Sequence, residues 1–355
     1  MSFLRRPALA VLVCAAALAP LAVFAKSKKA DATPEHPHDV GSTYKGYIVI
    51  DAATGRTLAE DHADEVSPPA SMTKLMTFAV LYDRLAAGQI ALTTPVTVNR
   101  EEARFAMKPD STSVWLKEGE TYPVEELIYA MMIQSANDAA LALARVAGGS
   151  PAAFVGMMNT KARELGMTHT TFRTPHGFAR GKVDPSVSDL TTPRDFAVLC
   201  RHLVLHTDVL KYTSVRQRFF GAGQRTQLVD MHNHDHLLAY APGVDGLKTG
   251  YTEGAGYCLS TTVQRNGHRL VGVIMGAFGR PGHEKDKGFS RDHKMTDLID
   301  HAFATLPAGT PTFAAAPDAT PVPSPISSAP PPADDKNAPG SSDATVKFAA
   351  PTPHK

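Results

Sequence analysis

Ser71-Met72-Thr73-Lys74 places a hydroxyl and an amine three residues apart. Behind them Leu75, Met76, Ala79, Val80 and Leu85 recur at helical spacing and Gly88 supplies a stop, which predicts a helix over residues 71–87. At a helix start both side chains project from one face and can share a proton. A serine hydroxyl is a poor nucleophile until a neighbour takes its proton. A lysine is such a neighbour where burial or nearby positive charge lowers its pKa. The free amides of the helix N-terminus favour the anion that develops in such an attack. The chemistry on offer is acyl transfer through a serine ester.

Ser-x-x-Lys alone is a weak signal, expected about once by chance in a chain of this size. Ser42-Thr43-Tyr44-Lys45 matches it too, but lies at the entry to a strand, where residues three apart face opposite sides. Two further elements support Ser71. Ser135-Ala136-Asn137 offers a second hydroxyl to relay a proton and an amide to hold a lysine and a substrate carbonyl. Lys248-Thr249-Gly250 offers a cation and a hydroxyl that can grip a carboxylate, with a glycine that lets a substrate backbone lie close. Taken singly, the first reads equally as a helix cap and the second as a solvated turn.

In this order the three elements resemble penicillin-binding proteins and serine β-lactamases. The contexts PPASMTKLMT, QSANDAALALA and GVDGLKTGYTEGAGYCL are similar to low-molecular-weight D-alanyl-D-alanine carboxypeptidases, over roughly Tyr44 to Leu306. The resemblance implies Ser71 as the acylated nucleophile, Lys74 as its base and Ser135 as the third catalytic residue. It also implies that Asn137, Lys248, Thr249 and Gly250 bind substrate, with an oxyanion hole from the Ser71 and Tyr251 amides. Some members carry arginine where His234 stands, near the substrate carboxylate; a histidine there is a weaker, pH-dependent cation, or simply a surface residue of a His-rich loop. His176 in TPHGF fits a structural motif of the family. The implied partners are peptidoglycan stem peptides, with β-lactams as covalent inhibitors; no cofactor and no metal are expected.

The same residues would serve an endopeptidase that cuts peptidoglycan cross-links. A β-lactamase would need a Glu-x-x-Leu-Asn segment between the second and third elements, and the nearest acidic stretch, Glu164-Leu165-Gly166-Met167, lacks that spacing. A non-catalytic penicillin sensor would be expected to have lost its base or nucleophile, and Ser71, Lys74, Ser135 and Lys248 all stand.

The elements that must position these residues follow from the pattern. Gly46–Ala52 and Arg56–Glu60 around Thr54-Gly55 predict a hairpin, as do Gly256–Val263 and His268–Gly276 around Asn266-Gly267. Helices are predicted over Val124–Ile133, Asp138–Val146, Pro193–His206 and Asp292–Leu306. Hairpin, helical middle, hairpin, helix is an α+β order: an antiparallel sheet flanked by helices, which the resemblance makes serine β-lactamase/penicillin-binding transpeptidase-like.

With 355 residues and 43% hydrophobic content the chain can bury a large core. Lys plus Arg (36) balances Asp plus Glu (35) with no basic, aromatic-interleaved stretch, which argues against a nucleic-acid partner. Arg5 and Arg6, then the Ala-rich run Ala8–Phe24, predict an export signal over 1–25 cleaved near Ala25, with a periplasmic or wall-associated product. Residues 26–43 read as a flexible lead-in, 44–306 as the catalytic domain, and 307–355, with 12 of the 27 prolines, as a disordered tail. The tail shows no apolar stripe at helical spacing, so membrane anchoring is not evident. Cys200 and Cys258 are expected as two buried thiols; a disulfide between them would depend on geometry.

Overall fold

The computed structural model describes residues 43–179, 181–279 and 285–313. The expected export signal, the lead-in up to Ser42 and the chain from residue 314 lie outside the described residues. The described residues open with a hairpin of β1 (Gly46–Asp51) and β2 (Thr57–Asp61). Its turn is held by Asp51, whose Oδ1 accepts from the Thr54 N–H at 2.7 Å and the Thr54 hydroxyl at 2.6 Å, while Gly55 takes φ +77°. A 3₁₀ turn (Ala70–Thr73) leads into α1 (Lys74–Ala86), then β3 (Pro95–Thr97), α2 (Arg100–Ala106) and β4 (Thr121–Pro123). The helical body continues with α3 (Val124–Ile133), α4 (Asn137–Gly148), α5 (Pro151–Glu164), α6 (Pro193–His206) and α7 (Leu210–Thr213). After the small hairpin of β5 (Gln217–Phe220) and β6 (Val229–His232) come α8 (Leu237–Tyr240), β7 (Val244–Thr252), β8 (Gly256–Arg265), β9 (His268–Ala277) and α9 (Phe289–Ala304).

Five strands form one antiparallel sheet in the order β2-β1-β9-β8-β7. Successive side chains of a strand face opposite sides, and β9 shows what each side meets. Val271, Val273 and Met275 join the large core shared with Phe78 of α1, Leu127 of α3 and Phe196, Leu199 and Leu203 of α6. Leu270 and Ile274 face the other way, onto Met295, Leu298 and Ile299 of α9. The sheet is therefore buried on both faces, as expected for an α+β fold flanked by helices. Replacing Phe196 with alanine at this depth costs about 3–5 kcal/mol.

Three details differ from the expectation. Four helices appear where none was predicted, α2, α5 and the one-turn α7 and α8; Asn99 and Glu102 form a reciprocal capping box on the first, and Ser150 caps the second ahead of Pro151. The Lys248 motif lies in β7, a full strand at the sheet edge, and not in a solvated turn. The packed chain also runs past Leu306 to Phe313, whose N–H donates to the Gly267 carbonyl at 2.7 Å and whose ring is buried in the core. Cys200 and Cys258 are separate, buried thiols.

Candidate active site

Ser71 sits in the 3₁₀ turn and Lys74 is the first residue of α1. Lys74 Nζ lies 2.9 Å from Ser71 Oγ and donates to the His176 carbonyl at 2.7 Å. The amine is fully buried. Burial, and then the positive charge of Lys248, hold its pKa well below the usual lysine range, while Asp189 and Asp138 pull the other way. A neutral amine can receive the Ser71 proton, so the contact supplies the proton acceptor that the hydroxyl needs.

The 174–178 segment is clamped against this turn. Gly177 has φ +76°, and a Cβ there would fall 1.8 Å from the Ala70 carbonyl oxygen. Buried Asp189 accepts from the Thr73 hydroxyl (2.8 Å) and from the Arg173 and Thr174 amides (2.5 and 2.8 Å), tying that segment to the nucleophile turn. Ala70 itself takes φ +49°, a strained setting for a residue with a Cβ.

Ser135-Ala136-Asn137 forms the corner between α3 and α4. Ser135 has φ +62°, and its Oγ and the Asn137 Oδ1 are buried without a hydrogen-bond partner among the described residues. The Asn137 N–H donates to the Thr112 carbonyl at 2.9 Å and its Nδ2 to Ser111 Oγ at 3.0 Å. The capping alternative falls away: Ala136 is the N-cap of α4 and no side chain caps it. Buried polar atoms left unsatisfied call for an explanation, and a ligand or a transferred proton is the one their chemistry suits.

On β7, Lys248 and Thr249 are buried rather than solvated as a turn would be. Burial pushes Lys248 down to about 7, with Arg291 adding to the effect and Asp235 opposing it. Tyr251 extends to the exposed end of the strand, its ring stacked on Tyr257 at 4.4 Å. Gly250 also sits hard against the nucleophile turn. A Cβ there would meet the Pro69 carbonyl oxygen at 2.5 Å and the Ser71 nitrogen at 3.1 Å, so the missing side chain lets β7 pack against that turn.

Of the two expectations for His234, its exposed position fits the surface residue of a His-rich loop. Its side chain is exposed, yet the surrounding protein, followed by the ammonium groups of Lys248 and Lys74, holds its pKa down to about 4. Behind Lys248 stands a buried group that the sequence reading left out. Asp235 is raised to about 7 by burial, Asp292 accepts from Arg291 at 2.6 Å, and His236 Nδ1 lies 3.0 Å from Asp292. His176 acts through its main chain, with its ring neutral: Nδ1 accepts from the Phe178 N–H at 3.1 Å. Among the described residues no cluster of three or more potential ligands could hold a metal.

A buried lysine against a serine at a helix start, with an edge strand bearing lysine and threonine packed on the same turn, defines an active-site-serine protein of the penicillin-binding class. The sequence model of the D-alanyl-D-alanine carboxypeptidases, peptidase family S11, matches residues 31–279, and the chain belongs to that family. It is 37% identical over 237 residues to D-alanyl-D-alanine carboxypeptidase DacC of Escherichia coli K12, covering 66% of this chain and 56% of that relative. The chain thus spans little more than half the length of DacC. Among solved structures, the D-alanyl-D-alanine carboxypeptidase DacD from Francisella tularensis superposes with a TM-score of 0.65 at 25% identity, over 74% of this chain and 70% of that one. Penicillin-binding protein D2 from Listeria monocytogenes in its cefotaxime-bound form gives 0.61 at 29% identity, over 73% and 97%.

Proposed function

We propose that the chain is an exported serine-type D-alanyl-D-alanine carboxypeptidase, which removes the terminal D-alanine from peptidoglycan stem peptides and is acylated by β-lactams. The observation that carries the reading is the 2.9 Å contact between Ser71 Oγ and the buried Lys74 amine. Neutral Lys74 takes the hydroxyl proton as Oγ attacks the carbonyl between the two D-alanines. The Ser71 and Tyr251 amides receive the oxyanion, in a setting where one donor is worth about 3–4 kcal/mol. The proton passes through Ser135 to the departing amine, Asn137 holds the substrate amide, and Lys248 with Thr249 binds the terminal carboxylate. Water then hydrolyses the Ser71 ester.

The test is intact-mass analysis after exposure to penicillin, expected to show one adduct on the peptide containing Ser71. Adduct formation in Ser71→Ala would overturn the assignment. Incubation with pentapeptide monomers and with cross-linked dimers lacking a terminal D-alanyl-D-alanine then ranks the two peptidase readings. D-alanine release faster than dimer loss is the expected result, because a free carboxylate is what Lys248 and Thr249 suit.

A further inference from the structure

Trp115 is the one tryptophan in the chain, and it is 51% exposed between Val114 and Leu116, both buried. Its backbone takes φ +52°, a region that side chains with a Cβ rarely adopt and glycine adopts freely. The turn is held from both sides. Asp138 accepts from the Val114 and Leu116 amides at 3.3 and 3.1 Å, and Arg225 donates to the Val114 and Trp115 carbonyls at 2.7 and 2.8 Å. Asp138 follows the Ser135-Ala136-Asn137 corner directly, and Asn137 bonds Ser111 and Thr112 at the start of the same loop. A large apolar ring is thus kept in water, on a strained backbone, on a turn bolted to a corner of the active site.

If geometry alone governed the position, glycine would relieve the strain and no aromatic ring would be exposed. Strained residues held by over-determined surroundings cluster where a ligand is gripped. Indole faces bind methylene chains and cations well, and their two-torsion side chains lose little freedom on doing so. The carboxypeptidase reading supplies the occupant: in a stem peptide a diamino acid with a long methylene side chain precedes the two D-alanines.

We infer that Trp115 is a specificity-determining contact for the side chain of the diamino acid that precedes D-alanyl-D-alanine, an inference that rests on the carboxypeptidase reading. The probes are the pentapeptide L-alanyl-γ-D-glutamyl-L-lysyl-D-alanyl-D-alanine and its analogue with glycine for lysine. Trp115→Gly is expected to lower kcat/KM for the lysine peptide about ten-fold, to change it less than two-fold for the glycine peptide, and to keep or raise the thermal midpoint. The single tryptophan gives a second readout: in Ser71→Ala, the lysine peptide should shift the emission and the glycine peptide should not.

An unchanged kcat/KM for the lysine peptide in Trp115→Gly overturns the inference. So does an emission that stays fixed at concentrations saturating D-alanine release, or one that responds to a disaccharide-bearing peptide but not to the free pentapeptide. Failure of the native protein to release D-alanine from any peptide would instead sink the carboxypeptidase reading; the emission of Ser71→Ala judges Trp115 separately.

Discussion

Lys74 donates from Nζ to the backbone carbonyl of His176 at 2.7 Å, so the amine facing Ser71 is aimed by a main-chain atom. Its geometry then depends on the 174–178 segment, not on the imidazole. Its charge depends on burial and on Lys248, which favour the neutral amine. The neutral form is the base, so the acylation rate should fall as pH drops through the depressed pKa. Lys74→Arg keeps the charge but cannot release a proton in this range, and should acylate about 10²–10⁴-fold more slowly. Stopped-flow acylation by a chromogenic β-lactam over pH 5–9 checks both; a fast Lys74→Arg protein would remove Lys74 as the base.

Much of this site was legible beforehand, for a physical reason. Ser71 and Lys74 are close in sequence and their helix start announces itself, so spacing alone places both on one face. Strand pairs around Asp51–Arg56 and Asn266-Gly267 were legible through turn chemistry. The reach of His176, Asp189 and Asp235 into the site was not, because these contacts cross long stretches of sequence and carry no local pattern. Gly250 shows the same limit from the other side. Its residue type marks a close approach, and that the Pro69–Ser71 turn is one of the partners only the folded chain reveals. The helices α2 and α5 are missed although Asn99-x-x-Glu102 and Ser150-Pro151 mark their starts, since their apolar stripes are short, and α7 and α8 are single turns with no stripe to read.

The imidazole of His176 makes a separate prediction about stability. Burial, then Lys74 and Lys108, push its pKa down to about 3 from the ordinary 6.5. Between those values the unfolded chain binds a proton that the folded chain refuses. Stability therefore falls as pH drops from about 6.5 toward 3, with a slope of at most about 1.4 kcal/mol per pH unit from this group. His176→Asn keeps an acceptor for the Phe178 N–H and cannot titrate. Its denaturant midpoint should decline less between pH 7 and pH 4.5 than that of the native protein, while acylation at pH 7.5 stays within a few fold. Equal slopes would show that other groups dominate the acid limb.

Substrate binding should carry its own pH dependence. With Lys248 held near 7 and His234 near 4, the cationic side of the pocket weakens above neutrality. KM for peptides ending in a free carboxylate should rise as pH goes from 6.5 to 8.5. His234→Arg installs a charge that does not titrate there and should lower KM several-fold at pH 8 with a flatter profile. Steady-state kinetics across this range decide it; a native KM that is constant would mean Lys248 keeps its proton throughout.

Gly250→Ala tests how tightly β7 is set against the nucleophile turn. A Cβ 2.5 Å from the Pro69 carbonyl and 3.1 Å from the Ser71 nitrogen cannot be relieved by a flexible side chain, so backbone must move. The turn carrying Ser71 is displaced with it, and an oxyanion donor goes with the turn. Acylation should slow by at least about ten-fold, since misplacements near 1 Å cost on the order of 10²-fold. The thermal midpoint should fall as well. Native rates in Gly250→Ala would show that the turn and the strand move independently.

The last of the described residues give the last prediction. Composition alone puts the boundary at Leu306, because prolines accumulate beyond it, and implies that a chain ending there loses nothing. The fold argues otherwise for residues 307–313. Phe313 is 9% exposed, its N–H bonds the Gly267 carbonyl at 2.7 Å, and the Arg269 guanidinium lies 5.2 Å from its ring centre. Arg269 is itself buried and pairs with Asp245 at 2.8 Å, next to the start of β7. Losing the ring uncovers core surface and removes a cation–π contact, together worth about 2–4 kcal/mol. A chain ending at Leu306 should therefore melt several degrees lower than the full chain, whereas one ending after Phe313 should match it. Phe313→Ala in the full chain should reproduce most of the loss, which separates the ring from the backbone that carries it. Acylation by penicillin at 25 °C should persist in all three, because the contact lies at the far end of β7 from Lys248, Thr249 and the Ser71 turn. Calorimetry on the three variants checks the ranking, and an unchanged midpoint for the chain ending at Leu306 would restore the boundary that composition suggests.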